Sequence, residues 1–138
     1  MSLYESGEDY LEAILMVSER KSEVHAKDIV DELGFSKPSV SIALKKLKEQ
    51  GYLTIDEMNH LHLTEKGLEI ATNIYERHKI LTAILESIGV SKTTAEDDAC
   101  KIEHDLSEES WNQIKKYYTD KLKKWGFPHF FNYNLLFP

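Results

Sequence analysis

"FSKPSVSIALKKLKEQGYLTIDEMNHLHLT", Phe35 to Thr64, is the stretch whose reading decides the fold. Its first half has a helical period: Val40, Ala43, Leu44 and Leu47 form one apolar stripe, Ser36 is a good N-cap, Pro38 is tolerated in the first turn, and Gly51 supplies the stop. Its second half alternates as a strand does, with Leu53 and Ile55 before a polar turn from Asp56 to His60 and Leu61 and Leu63 after it. Just upstream, "HAKDIVDELG" carries Ala26, Ile29, Val30 and Leu33 on one face and ends at Gly34. Two helices joined by so short a turn read as a helix-turn-helix, and a hairpin directly after it reads as a wing.

Working outward, Tyr10, Leu11, Ile14, Leu15 and Val17 predict a first amphipathic helix from about Gly7 to Arg20. Downstream, Thr64 and Lys66 open a long helical stretch through Leu68, Ala71, Ile74, Tyr75, His78, Leu81 and Leu85, closed near Gly89. Ser91 caps a helix expected to run to about Leu106, and Ser107 with Ser110 begins a last one through Trp111, Ile114, Tyr117, Tyr118 and Leu122. The expected fold is therefore mainly α. An N-terminal winged helix-turn-helix with a small β-hairpin wing takes residues 1–70, and an all-helical domain takes 71–125. The aromatic tail "GFPHFFNYNLLFP", over 126–138, has no physical account.

A chain of 138 residues has room for one sizeable core, or for a small DNA-binding module with a helical partner. No apolar run approaches the roughly 18 residues that span a bilayer. The N-terminus, with Glu5, Glu8, Asp9 and Glu12, is acidic where a signal peptide would be basic. A cytoplasmic protein without a membrane partner is expected. The single cysteine excludes an internal disulfide, leaving a small hydrophobe, a reactive thiol or a metal ligand.

The net charge of −7 argues against general adhesion to nucleic acid, but the charge is segregated along the chain. Between Ser36 and Leu53, four lysines face one glutamate, a local +3; between Ser91 and Ser110, seven acids face two lysines, a local −5. The basic segment can meet phosphate, and the acidic one attracts cations. On the second helix of the helix-turn-helix, the candidate DNA-facing residues are Ser36, Lys37, Pro38, Ser39, Ser41, Ile42, Lys45 and Lys46. Short hydroxyls let a helix sink into the major groove, Ile42 can touch a thymine methyl, and the lysines neutralise phosphates. The plain alternative is a solvated lysine-rich face; the hairpin that follows favours DNA.

In "DACKIEHDLS", Cys100, Glu103 and His104 stand at i, i+3 and i+4. At about 100° per residue a helix brings the three within roughly 100° of one another. A thiolate, a carboxylate and an imidazole suit a divalent transition ion, and Mg²⁺ would not choose sulfur. The same spacing also fits a mixed surface helix. Elsewhere His78 lies on the apolar stripe of the long helix, where a lone histidine is commonly a core residue, and Asp9 and Glu12 lie one turn apart on the first helix, where acids are commonly solvated. A fold placing these helices together would collect six ligands for one or two ions, with Glu103 or Asp9 bridging a pair.

At these residues the chain resembles a known family, the metal-dependent repressors that include the diphtheria toxin repressor and the manganese transport regulator. The resemblance covers roughly the first 120 residues and rests on "EDYLEAI", on "SKPSVS" within the winged helix, on "RHKIL" after the wing and on "CKIEHDLS". The length is similar to that of the short, manganese-type branch. It implies Mn²⁺ or Fe²⁺ as the effector, with Co²⁺ or Zn²⁺ possible in vitro. It further implies that the helical domain binds metal and forms a homodimer, and that the loaded dimer binds a palindromic double-stranded operator. Asp9 and Glu12 match two acidic ligands of the manganese branch, where iron-type members have methionine at the first; His78, Glu103 and His104 match ligands of both branches. Cys100 departs from the manganese pattern, which has glutamate there, and matches the iron type. Thr82 and Glu96 stand where iron-type members supply the Glu and His of an ancillary site, and the residues after Trp125 are too few for the C-terminal SH3-like domain of longer members. The expected function is a metal-dependent repressor of manganese or iron homeostasis genes, not an enzyme. Its rivals are a winged-helix regulator sensing a small organic ligand, with no metal dependence, and a hydrolytic metalloenzyme, for which no additional base, nucleophile or phosphate loop accompanies the cluster.

Overall fold

The computed structural model describes residues 5–124. Six helices and one hairpin follow in the order α1 (Glu5–Arg20), α2 (Ala26–Leu33), α3 (Lys37–Glu49), β1 (Leu53–Ile55), β2 (Leu61–Leu63), α4 (Glu65–Ser87), α5 (Lys92–Ile102) and α6 (Glu108–Lys124). The chain divides into two compact units, the first running from Met1 to Asn73 and the second beginning at Ile74, so that the division falls inside α4. Mainly helical structure with a two-stranded hairpin is the expected class. The aromatic tail lies outside the described residues.

In the first unit the turn between α2 and α3 forms as its residues dictate. Gly34 takes the left-handed conformation at φ 73° and returns its N–H to Val30. Ser36 then caps α3, its hydroxyl oxygen accepting the Ser39 N–H at 3.3 Å, with Pro38 in the first turn. Helix α1 packs on α2, α3 and β2, and α3 packs on β1. Leu11, Ile14 and Val17 of α1 join Ile29, Val40, Leu44, Leu47, Leu53 and Leu61 in the buried core. The wing is antiparallel, with Leu53 opposite Leu63 and Ile55 opposite Leu61, and the Leu61 N–H donates to Val24 O at 2.7 Å, tying it to the segment ahead of α2.

Helix α4 starts hard against this wing. Thr64 Oγ1 accepts the Gly67 N–H and donates to Gly51 O, and a Cβ placed on Gly67 would stand 1.9 Å from Tyr52 O and 2.9 Å from Tyr52 C. Those are backbone atoms and cannot swing aside. Gly67→Ala is therefore expected to destabilise the protein by about 3 kcal/mol, measured as a lower urea midpoint. At an open helical position the same change would stabilise by roughly 0.5–1 kcal/mol, so a raised midpoint would contradict the close approach.

In the second unit Ile80, Ala83 and Trp111 form a buried cluster, with Ile84, Leu106, Ile114 and Tyr118 packed around it. Helix α5 ends four residues before the expected Leu106. After Ile102 the chain turns, Glu103 serving as C-cap, and Asp105 donates its N–H to Ile102 O. Ser107 Oγ then accepts the Ser110 N–H at the start of α6.

Candidate functional site

Every predicted DNA-facing residue of α3 is exposed: Ser36, Lys37, Pro38, Ser39, Ser41, Ile42, Lys45 and Lys46, whereas Val40, Leu44 and Leu47 on the opposite face are buried. Ile42 is 70% exposed, an apolar side chain held at the centre of a polar face. Contact with a thymine methyl would cover it. Beside α3, a cavity of about 580 Å³ opens toward the wing, lined by His25, Lys27, Lys45, Lys48 and Asn59 among others. Lys27 and Lys48 extend the basic surface beyond the residues chosen from sequence. Lys48 belonged to the local excess of lysine, whereas Lys27 stands in sequence among Asp28, Asp31 and Glu32 and had no such signal.

The metal-ligand candidates are divided between the units. On α1, Asp9 is half-buried and Glu12 is buried, three residues and hence about one turn apart. In the second unit, His78 of α4 meets the turn that ends α5. Its Nδ1 lies 3.1 Å from Glu103 Oε2, and His104 Nε2 lies 3.4 Å from Glu103 Oε1. Glu103 is completely buried, and its Oε1 accepts no hydrogen bond from any described residue. A buried carboxylate oxygen without a donor is costly. One carboxylate between two imidazoles is a donor set that accommodates a divalent cation, and the unmet oxygen is where positive charge would be gained. The residues present fit a metal.

Cys100 sits on α5 in a different environment, exposed where Glu103 is buried. The expectation of three side chains on one helical face assumed a helix continuing past Ile102; the helix ends there, with Glu103 as its C-cap still in the right-handed helical conformation and its N–H still donated to Ala99 O.

Sequence reasoning passed over Arg77. This buried residue donates from Nη1 to both Glu103 O and Leu106 O at 3.2 Å, pairs through Nη2 with Glu108, and lies over the Trp111 ring with Cζ 5.5 Å from its centre. It fastens the turn carrying Glu103 and His104 to α4 and α6. Its only sequence signal was its place beside His78 in "RHKIL".

Comparison with known proteins adds the following. The family model described as the iron dependent repressor N-terminal DNA binding domain matches residues 2–61, and that described as the iron dependent repressor metal binding and dimerisation domain matches residues 64–123. An uncharacterized HTH-type transcriptional regulator of Methanocaldococcus jannaschii is 35% identical over 113 residues, covering 80% of this chain and 90% of its own. The HTH-type transcriptional regulator MntR of Bacillus pumilus is 37% identical over 111 residues, covering 80% of this chain and 75% of its own. Among solved structures, the manganese regulator SloR superposes with a TM-score of 0.71 at 27% identity over 85% of this chain and 54% of that one. A manganese-dependent transcriptional repressor in complex with manganese gives 0.73 at 27% identity over 82% and 52%. This chain spans about half the length of those two structures.

Proposed function

This chain belongs to the iron-dependent repressor family, and from that premise we propose that a bound divalent metal ion sets its affinity for an operator duplex. One observation carries the reading: a completely buried carboxylate, Glu103, stands between two histidines with one oxygen unmet, inside the segment matched to a metal binding and dimerisation domain. The protein acts as a homodimer, presenting two copies of α3 to successive major grooves about 34 Å apart on a palindromic site.

Asp9 and Glu12 of α1, His78 of α4, Cys100 of α5, and Glu103 and His104 beyond it are the proposed ligands for one or two ions per subunit. A bound divalent ion supplies the positive charge that offsets the three carboxylates and the Cys100 thiolate in this set. Without it, Asp9 and Glu12 repel one another across one turn, and Glu103 remains buried with an unmet oxygen. Because α1 is packed on α2 and α3, any position its carboxylates favour is passed to the reading helix.

Asp9 and Glu12 make the α1 contribution oxygen-rich, which suits Mn²⁺, while the Cys100 sulfur adds affinity for Fe²⁺, Co²⁺ and Zn²⁺ in rising order. Mn²⁺ therefore activates, and Fe²⁺ or Co²⁺ competes better than at an all-carboxylate site. Cys100→Glu should lower the half-activating concentration of Mn²⁺ relative to Co²⁺. An unchanged ratio removes Cys100 from the ligand set.

The DNA half of the reading is tested on a duplex enriched from a random-sequence pool with Mn²⁺-loaded protein. Lys45→Ala or Lys46→Ala should weaken binding to every duplex and reduce the slope of log K against log salt by about 1. Ser39 and Ile42 variants should instead alter which sequences are enriched. If all four variants bind and select as the parent does, α3 is not the reading helix.

A further inference from the structure

A second group of cation donors lies on the wing, apart from the ligands proposed above. Asp56 follows β1 and folds its side chain back over the turn, Oδ1 accepting the backbone N–H groups of Met58 and His60 at 2.9 Å each. Asn59 closes the turn in the left-handed region at φ 64°. Fixed in this way, Asp56 directs Oδ2 at two imidazoles: His62 Nε2 at 2.8 Å and His60 Nδ1 at 3.3 Å. Ligand atoms of these three residues all lie within 4.8 Å of one another. The other nitrogen of His60, Nε2, faces Glu23 Oε2 at 3.4 Å, and the His25 ring packs edge-on against His60 with centroids 4.6 Å apart.

Metal–ligand bonds of about 2.0–2.1 Å put neighbouring ligands of a tetrahedral ion about 3.3 Å apart. The Asp56–His60 separation already has that value, and the Asp56–His62 pair has to open by only about 0.5 Å to reach it. An aspartate carboxyl is ionised at neutral pH, as a ligand must be. Glu23 behind His60 reproduces the carboxylate–histidine–metal arrangement that fixes a ligand's tautomer and orientation. Two imidazoles with one carboxylate select Zn²⁺ and its neighbours over Mn²⁺.

We propose that the wing carries a zinc-class site, with Asp56, His60 and His62 as protein ligands, water completing the coordination and Glu23 orienting His60. An ion there joins β2 to the turn after β1 and, through Glu23, braces the wing against the segment leading into α2. The site is independent of the metal control proposed above.

Zn²⁺ binding is measured by equilibrium dialysis of the full chain in a Glu103→Gln background, alongside the imidazole resonances of the histidines by NMR. The expected result is that His62→Ala and Asp56→Asn each remove one Zn²⁺ per chain from the background count. The His60 and His62 resonances should shift on Zn²⁺ addition, and equimolar Mn²⁺ should displace none of this zinc. Glu23→Gln should weaken the same site about 10–100-fold. Equal Zn²⁺ counts and affinities in the background and in the His62→Ala and Asp56→Asn proteins would overturn the proposal and leave these contacts as surface ion pairs only. Because the comparison is a difference between exposed variants, it does not depend on the fate of the other site.

Discussion

Replacing Glu103 with glutamine is expected to abolish the response of DNA binding to divalent metal while leaving the protein folded. The glutamine keeps the shape, its single carbonyl oxygen can accept from one histidine and its NH2 can donate to the other, but it removes the one acidic side chain that is completely buried among the described residues. Metal affinity should fall by more than the roughly 10–100-fold that follows loss of an outer-sphere partner. Stability of the metal-free protein should be unchanged or higher, because a buried charge is replaced by a neutral amide that is less costly to desolvate. Thermal unfolding with and without Mn²⁺ reads both effects together: the parent gains a metal-dependent rise in Tm, and the variant does not. A variant that keeps the parent's half-activating Mn²⁺ concentration would remove Glu103 from the site.

Arg77→Ala is the second large effect, expected to cost about 3–5 kcal/mol of stability. Two carbonyls, those of Glu103 and Leu106, lose their donor, and the face of Trp111 loses its cover. Glu108 is largely exposed, so its lost pairing contributes little. The change should also weaken metal binding, since the turn bearing Glu103 and His104 loses its anchor to α4. Urea unfolding followed at Trp fluorescence measures the first effect and metal titration of the folded variant the second. An Arg77→Ala protein within about 1 kcal/mol of the parent would show that the turn is held by other contacts.

The first unit was legible because its signals are local. Ser36 and Pro38 mark where α3 starts, Gly34 marks where α2 stops, and the alternation of Leu53, Ile55, Leu61 and Leu63 survives in a hairpin held by its own register. The end of α5 was not legible. "IEHDL" contains neither glycine nor proline, and periodicity carries the helix to Leu106. What ends it is tertiary, since Arg77, 26 residues earlier, supplies donors to Glu103 O and Leu106 O and satisfies carbonyls that a continuing helix would otherwise have bonded. The same distance in sequence hid Arg77 itself, while His78, Glu103 and His104 could be chosen because their side chains are metal-ligand types wherever they occur. Burial separates Cys100 from Glu103, which spacing alone could not do. The wing cluster went unnoticed for another reason: Asp56 and His60 read as polar turn residues and His62 fell in the strand between Leu61 and Leu63, and only the folded hairpin, with His62 opposite Thr54, brings the three together.

Control of DNA affinity by metal is read by fluorescence anisotropy of the enriched duplex, titrated with protein stripped of metal by chelation and then supplied with Mn²⁺. Binding should be at least about tenfold tighter with Mn²⁺, a difference of roughly 1.4 kcal/mol or more, fully reversed when chelator is returned. The same Kd with and without Mn²⁺, and with anaerobic Fe²⁺ or Co²⁺ in its place, would contradict it.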